Sequence, residues 1–332
     1  MKKFINKVDD IVPEMLEGLT LAFPEILKRL PDYEVVVRSE FDENKVSLIS
    51  GGGSGHEPAH AGYVGKGMLD AAIAGPVFTS PTPDQILAAI QNVPNKNGVL
   101  LIVKNYTGDV MNFEMAAQMA ATEDIKVETV IVDEDIALND LSSVGAGKRG
   151  LAGTIFVHKI SGAKAMSGAS LAEVKATAQK VVANVATFGI GLNGATVPAN
   201  HKRGFELSDG IAEVGLGIHG EPGLRQEPMK TADEFTVMIM EKIIDSLKLT
   251  ANSKVGLLIN GLGATPEMEL DIIARKAIMM LKDLEVEVVK TWVGNYLTSI
   301  DMPGMSISVV KLDDETQPLL LAGANTIGMK VF

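Results

Sequence analysis

The stretch Val46-Ser47-Leu48-Ile49-Ser50 is followed directly by Gly51-Gly52-Gly53-Ser54-Gly55-His56-Glu57-Pro58. An apolar run of this kind predicts a strand, and the glycines after it predict a bare loop that opens into a helix. In α/β folds such loops hold ligands, because glycine lets backbone N–H groups approach a bound molecule closely. His56, at the far end of the loop, adds an imidazole that can titrate. The stretch therefore predicts an α/β fold with a ligand site at this loop.

Strands alternate with helices on both sides of this stretch. The run Gly98–Val103 predicts a buried parallel strand, and the polar loop Lys104-Asn105-Tyr106-Thr107-Gly108-Asp109 follows it. In the second half, strands are predicted over 255–259, 286–289 and 307–310. The fold class predicted is α/β, with two α/β lobes, largely parallel or mixed sheets, and a ligand site in the Gly-rich loops between them.

The lobes are predicted over 1–185, with the Gly-rich substrate loop, and over 186–332. The Gly-, Thr- and Asn-rich segment 186–200 is interpreted as the passage between them. Helical spacing predicts an opening helix that continues to about Leu30. Capping boxes at Thr82–Gln85 and Thr231–Glu234 predict two further helix starts.

The composition excludes several classes of protein. The 332 residues carry a formal net charge of −12, without a basic stripe that would favour nucleic acid. There are no cysteines, which excludes disulfides and thiolate chemistry and suits a reducing compartment. No apolar run reaches the roughly 20 residues of a membrane span, and the N-terminus lacks the apolar region of a signal peptide. A soluble, cytoplasmic protein is predicted.

Nucleotide-binding motifs are weak in this sequence. No G-x-x-x-x-G-K-[ST] is present, so a P-loop is absent. The pattern G-x-G-x-x-G occurs three times, beginning at Gly145, Gly189 and Gly215, in a chain with 33 glycines. None of the three both follows a clear strand and opens a helix with an acidic residue about 20 positions later. A dinucleotide site is therefore not expected on this chain.

The five histidines fall into two groups. His158 lies in an apolar helical run, which favours packing, and His60 and His201 are interpreted as structural or solvated. His56 and His219 each lie in a Gly-rich loop and each precede Glu-Pro. A histidine among glycines has few packing neighbours of its own, so a functional role competes evenly with a structural one.

Asp109 and Lys104 follow one predicted strand, and His56 follows another. The loops after parallel strands open at the same edge of a sheet, so these three side chains are expected to converge. Asp109 also fits a turn residue, since Gly-Asp is common in turns.

Metal binding is an alternative role for these histidine and carboxylate side chains. Two histidines with one carboxylate suit a metal ion, and the acidic runs 133–135 and 313–315 could also attract one. The glycine amides of 51–55 and Lys104 instead suit oxygen atoms or anions, and solvated loops account for the acidic runs. No metal site is predicted on this chain.

Together the motifs resemble the dihydroxyacetone kinase family, specifically its substrate-binding K subunit. The resemblance rests on blocks that span nearly the whole chain: the Gly51–His60 block, Phe78-Thr79-Ser80-Pro81-Thr82-Pro83, Asn105–Asp109, Lys148–Thr154, Gly217–Gly223 and Gly304-Met305-Ser306.

The resemblance implies a role for each site residue. His219 adds to the carbonyl carbon of dihydroxyacetone and forms a hemiaminal, which excludes glycerol. The Gly53 amide and Lys104 donate hydrogen bonds to the bound ketone, and Asp109 and His56 withdraw the proton of the reacting hydroxyl. The catalytic residues implied are His56, Asp109 and His219, within a substrate site of Gly53, Ser54, Gly55, His56, Lys104, Asp109 and His219.

The resemblance also implies partners. Single-chain members of the family carry a further nucleotide-binding domain, for which no room remains before Phe332. The donor would be ADP/ATP with Mg²⁺ on a separate L subunit, recharged by a phosphotransferase-system protein, with no cofactor on this chain. A homodimer is implied, and the chain would be inactive alone.

Two alternatives stay open. A ketone-sensing regulatory paralogue, acting as a transcriptional coactivator, would keep His219 without needing His56 and Asp109. A metal-dependent hydrolase would be built on His56, Asp109 and His219.

Overall fold

A computed structural model describes residues 2–137, 147–200, 202–220 and 223–332. The chain divides into two compact units: the first comprises Met1–Val132, Val157–Lys180 and Leu321–Phe332, and the second comprises Asp133–Phe156 and Val181–Leu320. Each described unit contains a six-stranded sheet with helices, so the mixed α/β fold class is confirmed. The predicted lobe boundary at residues 185 and 186 stays a prediction, since the compact units group segments that are distant in sequence.

The first unit is built on a mostly parallel sheet. Its strands are β1 Leu27–Arg29, β2 Val35–Arg38, β3 Ser47–Ser54, β4 Ala71–Val77, β5 Val99–Lys104 and β6 Val127–Val132. Their order is β1-β2-β4-β3-β5-β6. Neighbours from β4 to β6 are parallel, whereas β1–β2 and β2–β4 are antiparallel. β3 and β5 are therefore central neighbours whose carboxyl ends lie at the same edge.

Helices cover this sheet. They are α1 Ile11–Ala22, α2 Pro83–Gln91 and α3 Thr107–Ala121, with a 3₁₀ turn at Ala61–Tyr63; α4 Thr154–Met166 and α5 Leu171–Ala183 place most of their residues in this unit. The strand pair of β15 Ala324–Asn325 and β16 Lys330–Val331 completes the first unit. Every residue of β5 is buried, as expected for a parallel strand covered on both faces.

The second unit contains a mainly antiparallel sheet. Its strands are β7 Val185–Gly191, β10 Ile211–Val214, β11 Arg225–Pro228, β12 Lys254–Gly261, β13 Glu287–Gly294 and β14 Gly304–Leu312, with a separate pair of β8 Thr196–Val197 and β9 Lys202–Arg203. The order is β11-β10-β7-β14-β12-β13, and only β12–β13 is parallel among these described pairs. The helices are α6 Ala232–Leu247, α7 Glu267–Asp283 and α8 Thr316–Leu321. α6 begins with the predicted capping box of Thr231 and Glu234.

The predicted loop at residues 51–55 was wrong in its local structure. Strand β3 continues through Gly51, Gly52 and Gly53 to Ser54, and the next helical element is only the 3₁₀ turn Ala61–Tyr63. The glycines permit close packing instead of a turn: a Cβ on Gly51 would lie 2.6 Å from the carbonyl oxygen of Ile73 on β4. Lys104 likewise belongs to a strand, as the last residue of β5.

The predicted passage at 186–200 was wrong over residues 186–191, because Val185–Gly191 forms strand β7 inside the second sheet. All seven residues of this strand are buried, but glycines and a threonine separate its apolar residues, which made the segment resemble a loop. A Cβ on Gly191 would lie 2.4 Å from a Leu216 methyl carbon, so the glycine is needed for packing.

Two helix predictions need correction. The opening helix ends at Ala22 and not near Leu30, because Pro24 cannot continue it, and the chain turns into β1. α2 begins after Thr82 with a proline in its first turn, but the Thr82 side chain makes no capping hydrogen bond.

A buried carboxyl, Glu134, lies within the second unit. Its two oxygens accept the Leu151 N–H at 2.9 and 3.1 Å, and the Thr187 hydroxyl donates to it at 3.2 Å. Burial, assisted by the charge of the neighbouring Asp135, raises the pKa of Glu134 to about 7. The folded protein therefore holds a proton here at pH values where the unfolded chain has released it.

We expect Glu134 to make stability depend on pH. Because its folded pKa exceeds the unfolded value of 4.5, its contribution is complete below about pH 4.5 and is lost as pH rises through about 7. The Glu134→Gln variant keeps the shape of the protonated form and cannot ionise. Between pH 4.5 and 7, the wild type should lose about 3 kcal/mol relative to the variant in urea unfolding.

The matched control is Glu287→Gln, which removes an exposed carboxyl from the same unit. If the wild type and Glu134→Gln show the same pH slope, Glu134 does not titrate in this window and the prediction is wrong.

Candidate functional site

The site in the first unit is organised around Gly52, in the middle of β3. Gly52 has a φ of 155°, a backbone conformation that residues other than glycine rarely adopt. A Cβ at this position would lie 2.7 Å from Lys104 Nζ and 3.4 Å from Asp109 Oδ2. The structure therefore brings Lys104 and Asp109 together over one bare position of β3, as their places after the same strand predicted.

Asp109 lies in the first turn of α3 and is 3% exposed. A carboxylate is stabilised there, because the N-terminus of a helix carries a partial positive charge. Its Oδ1 atom is buried and accepts no hydrogen bond from the described residues. Buried acceptors in proteins are nearly always paired, so this oxygen is suited to the hydroxyl of a ligand.

His56 lies just after β3 and is completely buried. Its ring stacks on Phe78, with ring centroids 5.2 Å apart and an interplanar angle of 20°. Phe78 has a φ of 56°, an uncommon backbone conformation for a residue with a side chain of this size. The segment after it packs on the glycine strand, because a Cβ on Gly53 would lie 2.6 Å from the Thr79 backbone nitrogen.

The Phe78–Pro81 segment contributed to the family resemblance, but the sequence did not predict that Phe78 stacks on the His56 ring. The signal for that role is weak, since a stacked pair of rings has no fixed spacing in sequence. The close fit of Gly53 against Thr79 is visible only once strand β3 and this segment are placed together.

Ser54 and Gly55, two of the predicted substrate-binding residues, hydrogen-bond within the protein. The Ser54 hydroxyl donates to the Gly75 carbonyl at 2.7 Å, and the Gly55 N–H donates to the Glu57 carboxylate at 3.0 and 3.1 Å. Burial raises the pKa of Glu57. These contacts fix the backbone around Gly53 and His56.

A buried hydrogen-bonded chain runs from Lys104 into the interior. Lys104 Nζ lies 2.8 Å from His60 Nε2, and His60 Nδ1 lies 3.0 Å from His158 Nε2. Burial, followed by the charge of Lys104, lowers the pKa of His60 well below its usual value and that of His158 to about 3. Both imidazoles are therefore neutral at physiological pH. The sequence predicted a packed His158 and a structural or solvated His60, and it did not predict their connection to Lys104.

His219 lies in the second unit, in the turn between β10 and β11, and is partly buried. Two hydrogen bonds hold the segment just before it: Arg149 donates to the Gly215 carbonyl at 2.7 Å, and the Ser299 hydroxyl donates to the Ile218 carbonyl at 2.5 Å. Glu221 and Pro222, which follow Gly220, lie outside the described residues. His219 thus follows a segment whose backbone is anchored at Gly215 and Ile218.

The acidic runs that were weighed as metal ligands have structural partners. Asp135 pairs with Arg149 at 2.6 Å, and Asp313 accepts the Thr316 N–H at 2.8 Å at the start of α8. Within the described ranges, no group of three or more His, Asp and Glu side chains is placed to hold a metal ion.

Two of the three glycine patterns are accounted for in the described segments. Gly189 and Gly191 lie inside strand β7, and Gly215 begins the turn that carries His219. The pattern at Gly145 lies partly outside the described residues. In the part of the chain that the structure covers, no helix is long and apolar enough to cross a membrane.

Known proteins are similar to this chain over nearly its whole length. Residues 17–328 match the Dak1 domain family. Over 314 residues the chain is 51% identical to the dihydroxyacetone-binding subunit of the PTS-dependent dihydroxyacetone kinase of Lactococcus lactis, covering 95% of this chain and 94% of that protein.

Solved structures agree. The dihydroxyacetone kinase of C. freundii, in complex with AMP-PNP and Mg²⁺, has a TM-score of 0.92 and 37% identity, over 99% of this chain and 61% of that longer chain. A dihydroxyacetone kinase operon co-activator has a TM-score of 0.91 and 35% identity, over 98% of this chain and 99% of that one. The chain therefore belongs to the dihydroxyacetone kinase (Dak1) family, which confirms the family predicted from its motifs.

Proposed function

We propose that this chain is the dihydroxyacetone-binding subunit of a dihydroxyacetone kinase, a phosphotransferase that works with a nucleotide-carrying partner. The observation that carries the proposal is the buried Asp109 carboxylate, whose Oδ1 accepts no hydrogen bond from the described residues and whose Oδ2 lies with Lys104 over Gly52. An acceptor and an ammonium side by side suit a small polyol or hydroxyketone. The 51% identity to a dihydroxyacetone-binding subunit supports this choice of ligand.

In this proposal the ketone is anchored by His219. A ring nitrogen adds its lone pair to the carbonyl carbon, the C=O π bond opens, and the oxygen takes up a proton as the other ring nitrogen releases one. The product is a neutral hemiaminal. Only an aldehyde or ketone undergoes this addition, so glycerol is rejected by chemistry and not by shape.

Residues of the first unit serve the rest of the ligand. Lys104 and the Gly53 N–H donate hydrogen bonds to its oxygens, while Asp109 and His56 accept the proton of the reacting hydroxyl. That proton must leave as the oxygen attacks phosphorus, and general-base assistance contributes about 10²–10⁴-fold. The stack on Phe78 orients the His56 ring for this task. Ser54 and Gly55 take part as backbone of the same segment.

The phosphoryl donor in this proposal is ATP, bound with Mg²⁺ on a partner L subunit. Transfer leaves ADP there, and a phosphotransferase-system protein converts it back to ATP. The similarity to a subunit of the PTS-dependent dihydroxyacetone kinase of Lactococcus lactis supports it. The chain itself binds no cofactor and is inactive without that partner. We further propose a cytoplasmic homodimer, as the resemblance implies.

A second candidate function is a ketone-sensing co-activator. The similarity to the operon co-activator supports it, with 35% identity and a TM-score of 0.91. Such a protein needs a ketone anchor but no proton acceptor. Phosphorylation of dihydroxyacetone by the reconstituted complex separates the two functions, because a co-activator gives no product.

We expect His219→Ala to abolish the covalent adduct with dihydroxyacetone. Alanine has no nitrogen to add to the carbonyl carbon, so native mass spectrometry should show the adduct on the wild type alone. Glycerol, which lacks a carbonyl, is the control ligand and should leave both masses unchanged. An adduct that persists in the variant would disprove the assignment of the anchor.

We expect Asp109→Asn to keep the adduct but to lower phosphoryl transfer in the reconstituted complex by about 10²–10⁴-fold, because an amide accepts no proton. The measurement is the steady-state rate with a nucleotide-loaded partner. Glu114→Gln, at an exposed position of the same helix, is the matched control. Normal turnover of Asp109→Asn would show that Asp109 is only structural.

A further inference from the structure

The buried chain of Lys104, His60 and His158 has a direction that the structure determines. The starting point is Ser50, the residue before the glycines of β3. Its hydroxyl donates to the Ile102 carbonyl at 2.7 Å, and a carbonyl can only accept. The Ser50 proton is therefore committed, and its oxygen can only accept from a second neighbour.

That second neighbour is His60, whose Nδ1 lies 3.3 Å from the Ser50 oxygen. Since Ser50 accepts, His60 Nδ1 must carry the hydrogen, which it shares with His158 Nε2 at 3.0 Å. A neutral imidazole carries one hydrogen, so His60 Nε2 is bare and accepts from Lys104 Nζ at 2.8 Å. The hydrogen bonds therefore run from a charged Lys104 to His60, and from His60 to Ser50 and His158.

The opposite direction conflicts with these contacts. If Lys104 were a neutral amine accepting from His60 Nε2, then His60 Nδ1 would be bare; it could accept from His158 Nε2 at 3.0 Å, but it would face the lone pairs of Ser50 at 3.3 Å. A protonated His60 would instead place a second positive charge 2.8 Å from the Lys104 ammonium, inside a cluster where His60 is 5% exposed and Lys104 is completely buried.

We propose that His60 is a positioning residue, which acts through Lys104 and whose tautomer is fixed by Ser50 and His158. By taking one N–H of the ammonium, His60 orients the Lys104 group toward the bare Gly52 position, where a Cβ would be 2.7 Å away. The inference rests on the proposed function in one respect: Lys104 then donates to an oxygen of the bound ketone. The tautomers themselves do not depend on it.

Two variants of His60 separate positioning from packing. The Oε1 atom of glutamine stands as many bonds from Cβ as His60 Nε2, so His60→Gln restores the acceptor for Lys104. The amide nitrogen of asparagine stands where Nδ1 stood, so His60→Asn restores the donor toward His158 and offers Lys104 no acceptor. Both variants replace a buried ring by a smaller amide, and asparagine is one methylene smaller than glutamine, so the free energy of unfolding of each variant is measured alongside its KM.

In the reconstituted kinase, we expect His60→Asn to raise the KM for dihydroxyacetone about tenfold, the change that loss of one hydrogen bond to a charged group produces. His60→Gln should stay within about threefold of the wild type. The contact forms on binding and persists through transfer, so kcat should change little in either variant. Equal KM values in the two variants would overturn the positioning role.

A second measurement tests the direction of the chain without any substrate. In ¹⁵N-histidine-labelled wild-type protein at neutral pH, long-range ¹H–¹⁵N spectra report which ring nitrogen carries hydrogen. We expect a neutral His60 protonated at Nδ1 and a neutral His158 also protonated at Nδ1, with assignments made from single-histidine variants. A His60 signal protonated at Nε2, or a charged ring, would overturn the proposal even if dihydroxyacetone binds normally. Absence of dihydroxyacetone binding in the wild type would instead overturn the proposed function together with the role in binding, whatever the tautomers.

Discussion

The packing of the first unit depends on the glycines of strand β3, which have no side chains. Gly51, Gly52 and Gly53 each face an atom that a Cβ would clash with: a carbonyl of β4, the Lys104 ammonium and the Thr79 backbone. Without these bare positions, neither Lys104 and Asp109 nor the segment after Phe78 could close on the strand. The glycines thus convert a central strand into the floor of a polar site, while their pairing with β4 continues through Gly53.

A completely buried lysine needs compensation, because burying an unpaired charge costs several kcal/mol. His60 supplies a neutral acceptor at 2.8 Å, and the Asp109 carboxylate lies over the same glycine. Burial lowers the pKa of His60, and the charge of Lys104 lowers it further, since a second cation beside Lys104 would be strongly destabilised. One pattern of protonation therefore stabilises the cluster, and it leaves an oxygen of Asp109 desolvated and ready to accept.

The sequence was sufficient for what depends on local pattern and strand order. The central strand at 98–103, the capping box at Thr231 and the shared sheet edge of Lys104 and Asp109 all follow from periodicity and from the geometry of parallel strands. It was insufficient where glycine serves packing. Gly51–Gly53 and the residues of β7 suggest loops in sequence, because the partners that require a bare position lie far away along the chain. The contact between His60 and His158 joins residues 98 positions apart, so no local pattern could predict it.

The proposed reaction has two requirements, selection of a ketone and removal of a proton, and different residues meet them. Selection of a ketone needs a reversible bond to a carbonyl, and His219, which follows the segment held by Arg149 and Ser299, is the imidazole proposed for it. Transfer to a hydroxyl needs a proton acceptor that is already stripped of water, because reorganising solvent during the reaction would raise the barrier. Asp109 meets this requirement before any ligand arrives, since burial and the helix N-terminus hold it in place. In the proposed reaction, His219 selects the carbonyl compound. The residues over the glycines of β3 then need to serve only proton transfer.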